Sequence, residues 1–458
     1  MDPKKITCDE AAQAVRARMR EAGVETAWDR LEAQEPQCGF GQLGLCCRIC
    51  NMGPCRVDPF GDGPQRGVCG ADADTIIARN FIRMVAAGAA AHSDHGRGVA
   101  HTFLAMARGE APDYGIKDRK KLLALAEEMD IETEDRDDKD IAQELGELML
   151  AEFGKPHGTQ RMAERAPDAT KEMWKKLDVF PRAIDQEIVE SLHRTHLGVD
   201  QDYENILRHA SRCALGDGWG GSMIGTELQD VMFGTPQPRK GEINLGVLKE
   251  DQVNLVVHGH EPLLSEMVAM AASEPELIEE AKEAGAEGLN VAGICCTANE
   301  LVMRHGIPMA GNFLSQELAV STGAVDLMCV DIQCIMQGLA DLVPHYHTKL
   351  ITTSEKARMQ GVEHVQMDEA KALEVGRAIV RKAIDAYTQR GDQKVYIPQD
   401  KGDAVVGFSH ETINYMLGGR FRASYRPLND NIASGRIRGV AGVVGCTNPK
   451  VKHDWGHT

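Results

Sequence analysis

The sequence predicts an α/β protein: an N-terminal all-helical domain, then doubly wound parallel (Rossmann-like) sheet domains, the last of them incomplete. Three observations carry this expectation. Up to about residue 235, apolar residues recur with the 3.6-residue period of helices facing a core. A Pro/Gly/basic stretch, Gly234-Thr235-Pro236-Gln237-Pro238-Arg239-Lys240-Gly241, then reads as a linker. Beyond it, short, continuous apolar runs alternate with helical segments, the pattern of strands buried on both faces of a parallel sheet.

In chain order, Asp9 to Ala22 has helical spacing and is stopped by Gly23. Asp138 to Phe153 and Ala183 to His196 repeat that spacing, and the charges spread over Asp118 to Asp140 read as solvated helix faces. The expected strands are Val253–Val257, Leu289–Ile294, Val325–Val330, Lys349–Thr353, Ala404–Phe408 and Arg438–Gly445. Gln393–Gln399 reads as a second linker. The expected domains are therefore a helical cysteine-bearing domain over 1–235, a Rossmann-like domain over 242–392, and the start of a second such domain over 400–458.

The chain has 458 residues, of which 51 are Lys or Arg and 69 are Asp or Glu, for a net charge of −18. That balance argues against nucleic acid or an anionic membrane surface as a main partner. No apolar run reaches the ~18 residues of a membrane span. No apolar leader is visible at the start, so a cytoplasmic location is expected. The 13 cysteines are too sparse for a disulfide scaffold. In that setting clustered cysteines point to metal or redox centres.

Six of them fall between positions 38 and 69: Cys38, Cys46, Cys47, Cys50, Cys55 and Cys69, interleaved with glycines. Such a loop can wrap a cluster and offer backbone N–H groups to its sulfurs. Four thiolates complete one Fe–S cubane or one zinc site. Adjacent Cys46 and Cys47 point in different directions, so Cys47, Cys50, Cys55 and Cys69 are assigned to one complete site. Cys38 and Cys46 are then half a site, which a two-fold homodimer would complete. The plainer alternative is structural zinc with two spare thiols. The missing second short cysteine pair and the glycine wrapping favour Fe–S.

Four expected strands end on metal-type residues: His258-Gly259-His260, Cys295-Cys296, Cys334 and Cys446. Ligands in open parallel sheets bind outside the carboxyl ends of the strands. One such residue alone is more simply a buried thiol or a core histidine. Four together point to a metal site, and thiolate with imidazole selects zinc, iron or nickel. Cys329, inside its strand, reads as core, and Cys213 and Cys8 as structural.

A third feature is the run from Ala89 to His101, with His92, His95 and His101. In a helix, positions 92, 95, 98 and 101 form one ridge that winds around the surface. Imidazoles along it could pass protons outwards, since an ordinary pKa of ~6.5 permits exchange near neutrality. Gly98 leaves a gap that water must fill. Ordinary surface histidines are the competing explanation.

Together these stretches resemble the catalytic subunit of anaerobic nickel–iron carbon monoxide dehydrogenases over nearly the whole chain. The resemblance rests on Pro36 to Gly41, Cys46 to Arg56, Ala91 to His95 and Asp217-Gly218-Trp219-Gly220-Gly221-Ser222. It rests equally on Val257 to His260, Cys295 to Glu300, Gln333-Cys334 and Gly445 to Asn448. It implies oxidation of CO with water to CO2, two protons and two electrons. It further implies a [4Fe–4S] cluster on Cys47, Cys50, Cys55 and Cys69, and an Fe–S cluster shared between subunits at Cys38 and Cys46. A Ni–Fe–S active-site cluster would be held by His260, Cys296, Cys334 and Cys446. His92 matches the catalytic base, His95 and His101 the proton path, and Asp217 an active-site acid. Nickel comes from the resemblance alone. A redox acceptor protein such as a ferredoxin would take the electrons.

Two departures stand out. Gly98 occupies a position where many relatives have a further histidine. The chain also stops at Thr458, whereas relatives continue and supply two more cysteine ligands and a lysine. The expectation is therefore an incomplete last sheet with Val440, Val443 and Val444 uncovered, three thiolates plus His260 at the active site, and little nickel or CO oxidation from this chain alone. Three rivals are a hybrid-cluster or hydroxylamine reductase-like oxidoreductase, a non-catalytic Fe–S electron-transfer fragment or dimerisation module, and a zinc-stabilised structural protein.

Overall fold

The computed structural model describes residues 7–422, 424–439 and 441–451. It divides into two compact units: residues 34–233, and residues 1–33 together with 234–458. The division departs from the three expected segments at both ends of the chain.

The first unit is helical. Its central element is the 36-residue helix Ala73–Arg108, with Asp72 accepting from the Thr75 N–H at its start and Gly109 in the left-handed conformation at its end. Helices Asp138–Gly154, Ile184–Thr195, Tyr203–Gly216 and Ser222–Phe233 pack around it. Ala78 and Ile82 bury against Ile206 and Ala210, and Ala86 and Ala89 against Cys213, the structural role expected of that thiol. One π-turn, Asp217–Gly221, joins the last two helices. Glycines set its approach to the long helix: a Cβ on Gly96 would lie 2.2 Å from the Gly221 carbonyl oxygen. Two short strands, β1 (Cys46–Cys47) and β2 (Cys55–Arg56), pair antiparallel with Cys47 opposite Cys55.

The second unit is one eight-stranded sheet. Its strands are β3 (Arg239–Ile243), β4 (Val253–Gly259), β5 (Leu289–Ile294), β6 (Met309–Gly311), β7 (Val325–Val330), β8 (Lys349–Thr352), β9 (Glu363–His364) and β10 (Gly402–Val406). The order is β10-β3-β6-β5-β4-β7-β8-β9, parallel except for the β10–β3 pair. From β4 the chain winds one way through β5 and β6, then crosses back to wind the other way through β7, β8 and β9. This is the doubly wound arrangement, with its switch point between β4 and β7. Both strands are buried at every position. Val253, Leu255 and Val257 face one core with helices Pro262–Ala272 and Ala372–Tyr387, while Val256 faces the other. Cys329 lies in the first of these cores, as expected.

Four expectations are corrected. The stretch read as a linker contributes β3: Arg239-Lys240-Gly241-Glu242-Ile243 is mostly charged, and backbone pairing with β10 rather than an apolar run makes it a strand. The strand expected to open a second sheet domain after residue 400 is β10, which caps this same sheet. The helix Glu10–Glu21 packs Ala11, Val15 and Met19 against Leu245, Leu318 and Val320, so the first 33 residues belong to the sheet unit. No strand forms over the described part of Arg438–Gly445. Val443 and Val444 are exposed, and Val440 lies outside the described residues. No helix among the described residues is long and apolar enough to cross a membrane.

Candidate metal centres

In the helical unit, Cys47, Cys50, Cys55 and Cys69 line one cavity together with Gly53, Gly67 and Arg79. Cys38 and Cys46 do not line it. Backbone wraps the sulfurs closely: the Val68 N–H donates to Cys55 Sγ at 3.4 Å, and a Cβ on Gly53 would lie 3.0 Å from the Cys47 carbonyl. The Ala71 N–H, with Arg79, holds the Cys69 thiol below the usual thiol range. The Gly41 and Phe40 N–H groups do the same for exposed Cys38, which precedes the short helix Gly39–Gln42. Groups that favour thiolate also favour cluster ligation. Asn80 anchors the loop that carries Cys46, donating to the carbonyls of Gly44 and Cys46 at 2.9 and 3.1 Å.

In the sheet unit, the carboxyl ends of β5, β4 and β7 are adjacent and carry Cys295-Cys296, His260 and Cys334 respectively. His258 is still within β4, fully buried, its Nε2 3.1 Å from the Gln316 Oε1. Burial pushes it down to about 4, so it is a neutral core histidine. His260 is the residue that clears the strand. Its N–H donates to Asp331 Oδ1 at 2.7 Å, and Thr297 donates to the other oxygen at 2.8 Å. Gly259, at φ 138°, permits this: a Cβ there would lie 1.9 Å from Asp331 Oδ1. Cys295, Gln333 and Cys334 hold φ of 65°, 65° and 58°, a left-handed conformation that non-glycine residues seldom adopt. Gln316 Nε2 donates to the Cys334 carbonyl at 3.0 Å.

The thiols stand close enough to perturb one another. Burial, then Cys334 and Cys446, push Cys296 up to about 12. The shared hydrogen with Cys334 and then burial drive buried Cys295 upwards too. Cys446 is raised by desolvation and by Cys334, against the Phe313 N–H. Several thiols that cannot ionise side by side become thiolates together only around a cation. This donor set fits a metal cluster.

The third group joins two helices of the helical unit. His92 Nδ1 lies 3.0 Å from Asp217 Oδ2, and Ser222 Oγ donates to Asp217 Oδ1 at 3.0 Å. Asp217 opens the π-turn, a distortion frequent at functional sites. The histidine ridge lies on one continuous helix, with His92 and His95 half-buried and His101 exposed. His95 Nε2 is 3.1 Å from Gln229 Nε2. The sequence reading missed Asp331, Gln316 and Gln229. Asp331 alone had a signal, since it directly follows an apolar strand at the edge already singled out.

The fold and its sites define a class: doubly wound α/β proteins with thiolate-rich metal centres at the strand ends and in an N-terminal cysteine loop. The model of the Prismane/CO dehydrogenase family matches residues 45–458, and the chain belongs to that family. Carbon monoxide dehydrogenase 1 of Methanosarcina mazei is 55% identical over 449 residues, 98% of this chain and 71% of that protein. Carbon monoxide dehydrogenase 1 of Carboxydothermus hydrogenoformans is 48% identical over 456 residues, again 98% and 71%. Among solved structures, a nickel-free carbon monoxide dehydrogenase from Thermococcus sp. AM4 aligns with a TM-score of 0.96 at 50% identity, covering 99% of this chain and 72% of that one.

Proposed function

We propose that the chain is a nickel–iron carbon monoxide dehydrogenase, oxidising CO with water to CO2, two protons and two electrons. The observation that carries this is the set of metal-type residues on the carboxyl edge at the switch point: His260, Cys296 and Cys334, with Cys446 beside the last two. In this reading they hold a Ni–Fe–S cluster, which supplies the sites for CO and water and takes up the electrons. Asp331, through the His260 backbone, and Gln316, through the Cys334 carbonyl, hold two of the ligands in place.

The protein's own part in the reaction is proton handling. Asp217 accepts from His92 Nδ1, which fixes the tautomer in which Nε2 is the basic nitrogen that takes a proton. His95 and exposed His101 continue the path, with water at Gly98. Cys47, Cys50, Cys55 and Cys69 hold a [4Fe–4S] cluster on the way out for electrons. Cys38 and Cys46 hold half of a cluster completed by a second copy of the chain in a homodimer. A cytoplasmic redox protein such as a ferredoxin accepts the electrons.

The experiment is CO-dependent viologen reduction by anaerobically prepared protein, with iron and nickel measured in the same sample. Activity that disappears in Cys296→Ser and Cys334→Ser is expected. Zinc as the dominant metal, with little iron, would sink the proposal.

A further inference from the structure

Arg79 sits in the second turn of the long helix Ala73–Arg108 and is 2% exposed. Its polar contacts are the Asp200 carbonyl, 2.7 Å from Nη2, and Cys69 Sγ, 3.9 Å from Nη1. Its Nε has no hydrogen-bond partner among the described residues. The Asp200 carboxylate is turned to other partners: Arg194 at 3.0 Å, Asn205 at 2.9 Å and the Asp202 N–H at 3.0 Å. A guanidinium cannot shed its charge, and a buried charge without an opposite one is strongly unfavourable. Among the described residues, no carboxylate lies within ion-pair distance of Arg79. It does place Arg79 in the wall of the cavity that Cys47, Cys50, Cys55 and Cys69 line.

We infer that Arg79 is the counter-cation of the cluster held by those four cysteines and sets its reduction potential. The inference rests on the proposed ligation by that quartet and goes beyond it. Four thiolates around a cubane leave the assembly anionic, and its one-electron reduction adds a further negative charge while no bond is made or broken. A fixed positive charge beside Cys69, shielded from water, stabilises the reduced form more than the oxidised one. The chain from Arg194 through Asp200 to Arg79 holds the guanidinium in place, so Arg79 is a positioning and tuning residue rather than a catalytic one.

The test is an EPR-monitored redox titration of the anaerobically reconstituted full chain with dithionite as reductant. The signal to follow is the one that Cys50→Ser removes; no signal or iron lost in Cys50→Ser would fault the ligation itself. In Arg79→Met that signal should remain but titrate at a more negative potential, while Arg79→Lys stays near wild type. If Arg79→Met yields no folded protein, Arg79→Gln, which keeps a donor for the Asp200 carbonyl, is read in the same way. A wild-type potential in the neutral variants would overturn the inference. So would an equal shift in Arg79→Lys, because the guanidinium would then act by shape rather than charge.

Discussion

His92 Nδ1 lies 3.0 Å from Oδ2 of Asp217, although 125 residues separate the two in sequence. The contact joins the middle of the long helix to a π-turn, and Ser222 steadies the carboxylate from its other oxygen. It gives the proposed base a fixed tautomer.

His92→Ala should lower CO turnover by about 10²- to 10⁴-fold, the usual contribution of a general base. Asp217→Asn should lower it by a smaller factor, with KM little changed, because the imidazole remains but its tautomer is no longer held. His101→Ala should cost least, since water can replace an exposed relay group. Steady-state kinetics on the three variants would check this, and equal losses would argue against a graded path.

Gly259→Ala should empty the strand-end centre while sparing the N-terminal cysteine quartet. The new methyl would collide with Asp331 Oδ1, which receives the His260 N–H. Nickel and active-site iron should be lost, and the signal that depends on Cys50 should persist. Metal analysis alongside EPR reads both.

Gly96→Ala should destabilise the helical unit by about 1–3 kcal/mol, as overpacking does, because its Cβ would meet the Gly221 backbone rather than a movable side chain. Gly88→Ala, in the same helix with nothing within 4 Å of the added atom, should be neutral or stabilising by up to about 1 kcal/mol. Urea denaturation of the two variants makes the comparison.

Replacing Cys38 and Cys46 together with Ser should remove one cluster per dimer and leave the quartet at Cys47, Cys50, Cys55 and Cys69 intact. The two thiolates are half of a four-ligand site, and a two-fold axis supplies the other half. Iron counted per chain before and after decides it. Loss of a whole cluster from every monomer would be the contrary result.

Glu190 offers a pH test away from the metal centres. Burial works to raise its carboxyl, but Arg182 and Arg194 outweigh it and hold the group at about 2, against a usual 4.5. The unfolded chain therefore takes up this proton first. The stabilisation is fully present above about pH 4.5 and is lost as pH falls towards 2. Glu190→Gln should cost on the order of 1–3 kcal/mol at pH 7, and the difference from wild type should shrink by pH 3. Denaturant titrations at the two pH values measure it.

Much of this architecture is legible locally. The apolar runs that become β4, β5, β7 and β8, and the periodic stretches that become the helices at 10–21, 138–154 and 184–195, announce themselves because a buried strand or helix must repeat apolar residues at its own period. Cysteine spacing likewise marked Cys47, Cys50, Cys55 and Cys69 as candidate ligands, and strand-end position the candidates His260, Cys296, Cys334 and Cys446. What local pattern cannot carry is pairing at a distance. β3 is polar enough to read as a linker because backbone hydrogen bonds to β10, available to any sequence, make it a strand. Arg438 to Gly445 is apolar enough to read as a strand, yet the described residues there join no sheet. The order that sets β5, β4 and β7 side by side, the meeting of His92 with Asp217, and the burial of Arg79 beside Cys69 are likewise decided only when segments far apart in sequence come together. Each depends on which surfaces meet, and that is a property of the packed chain rather than of any stretch of it.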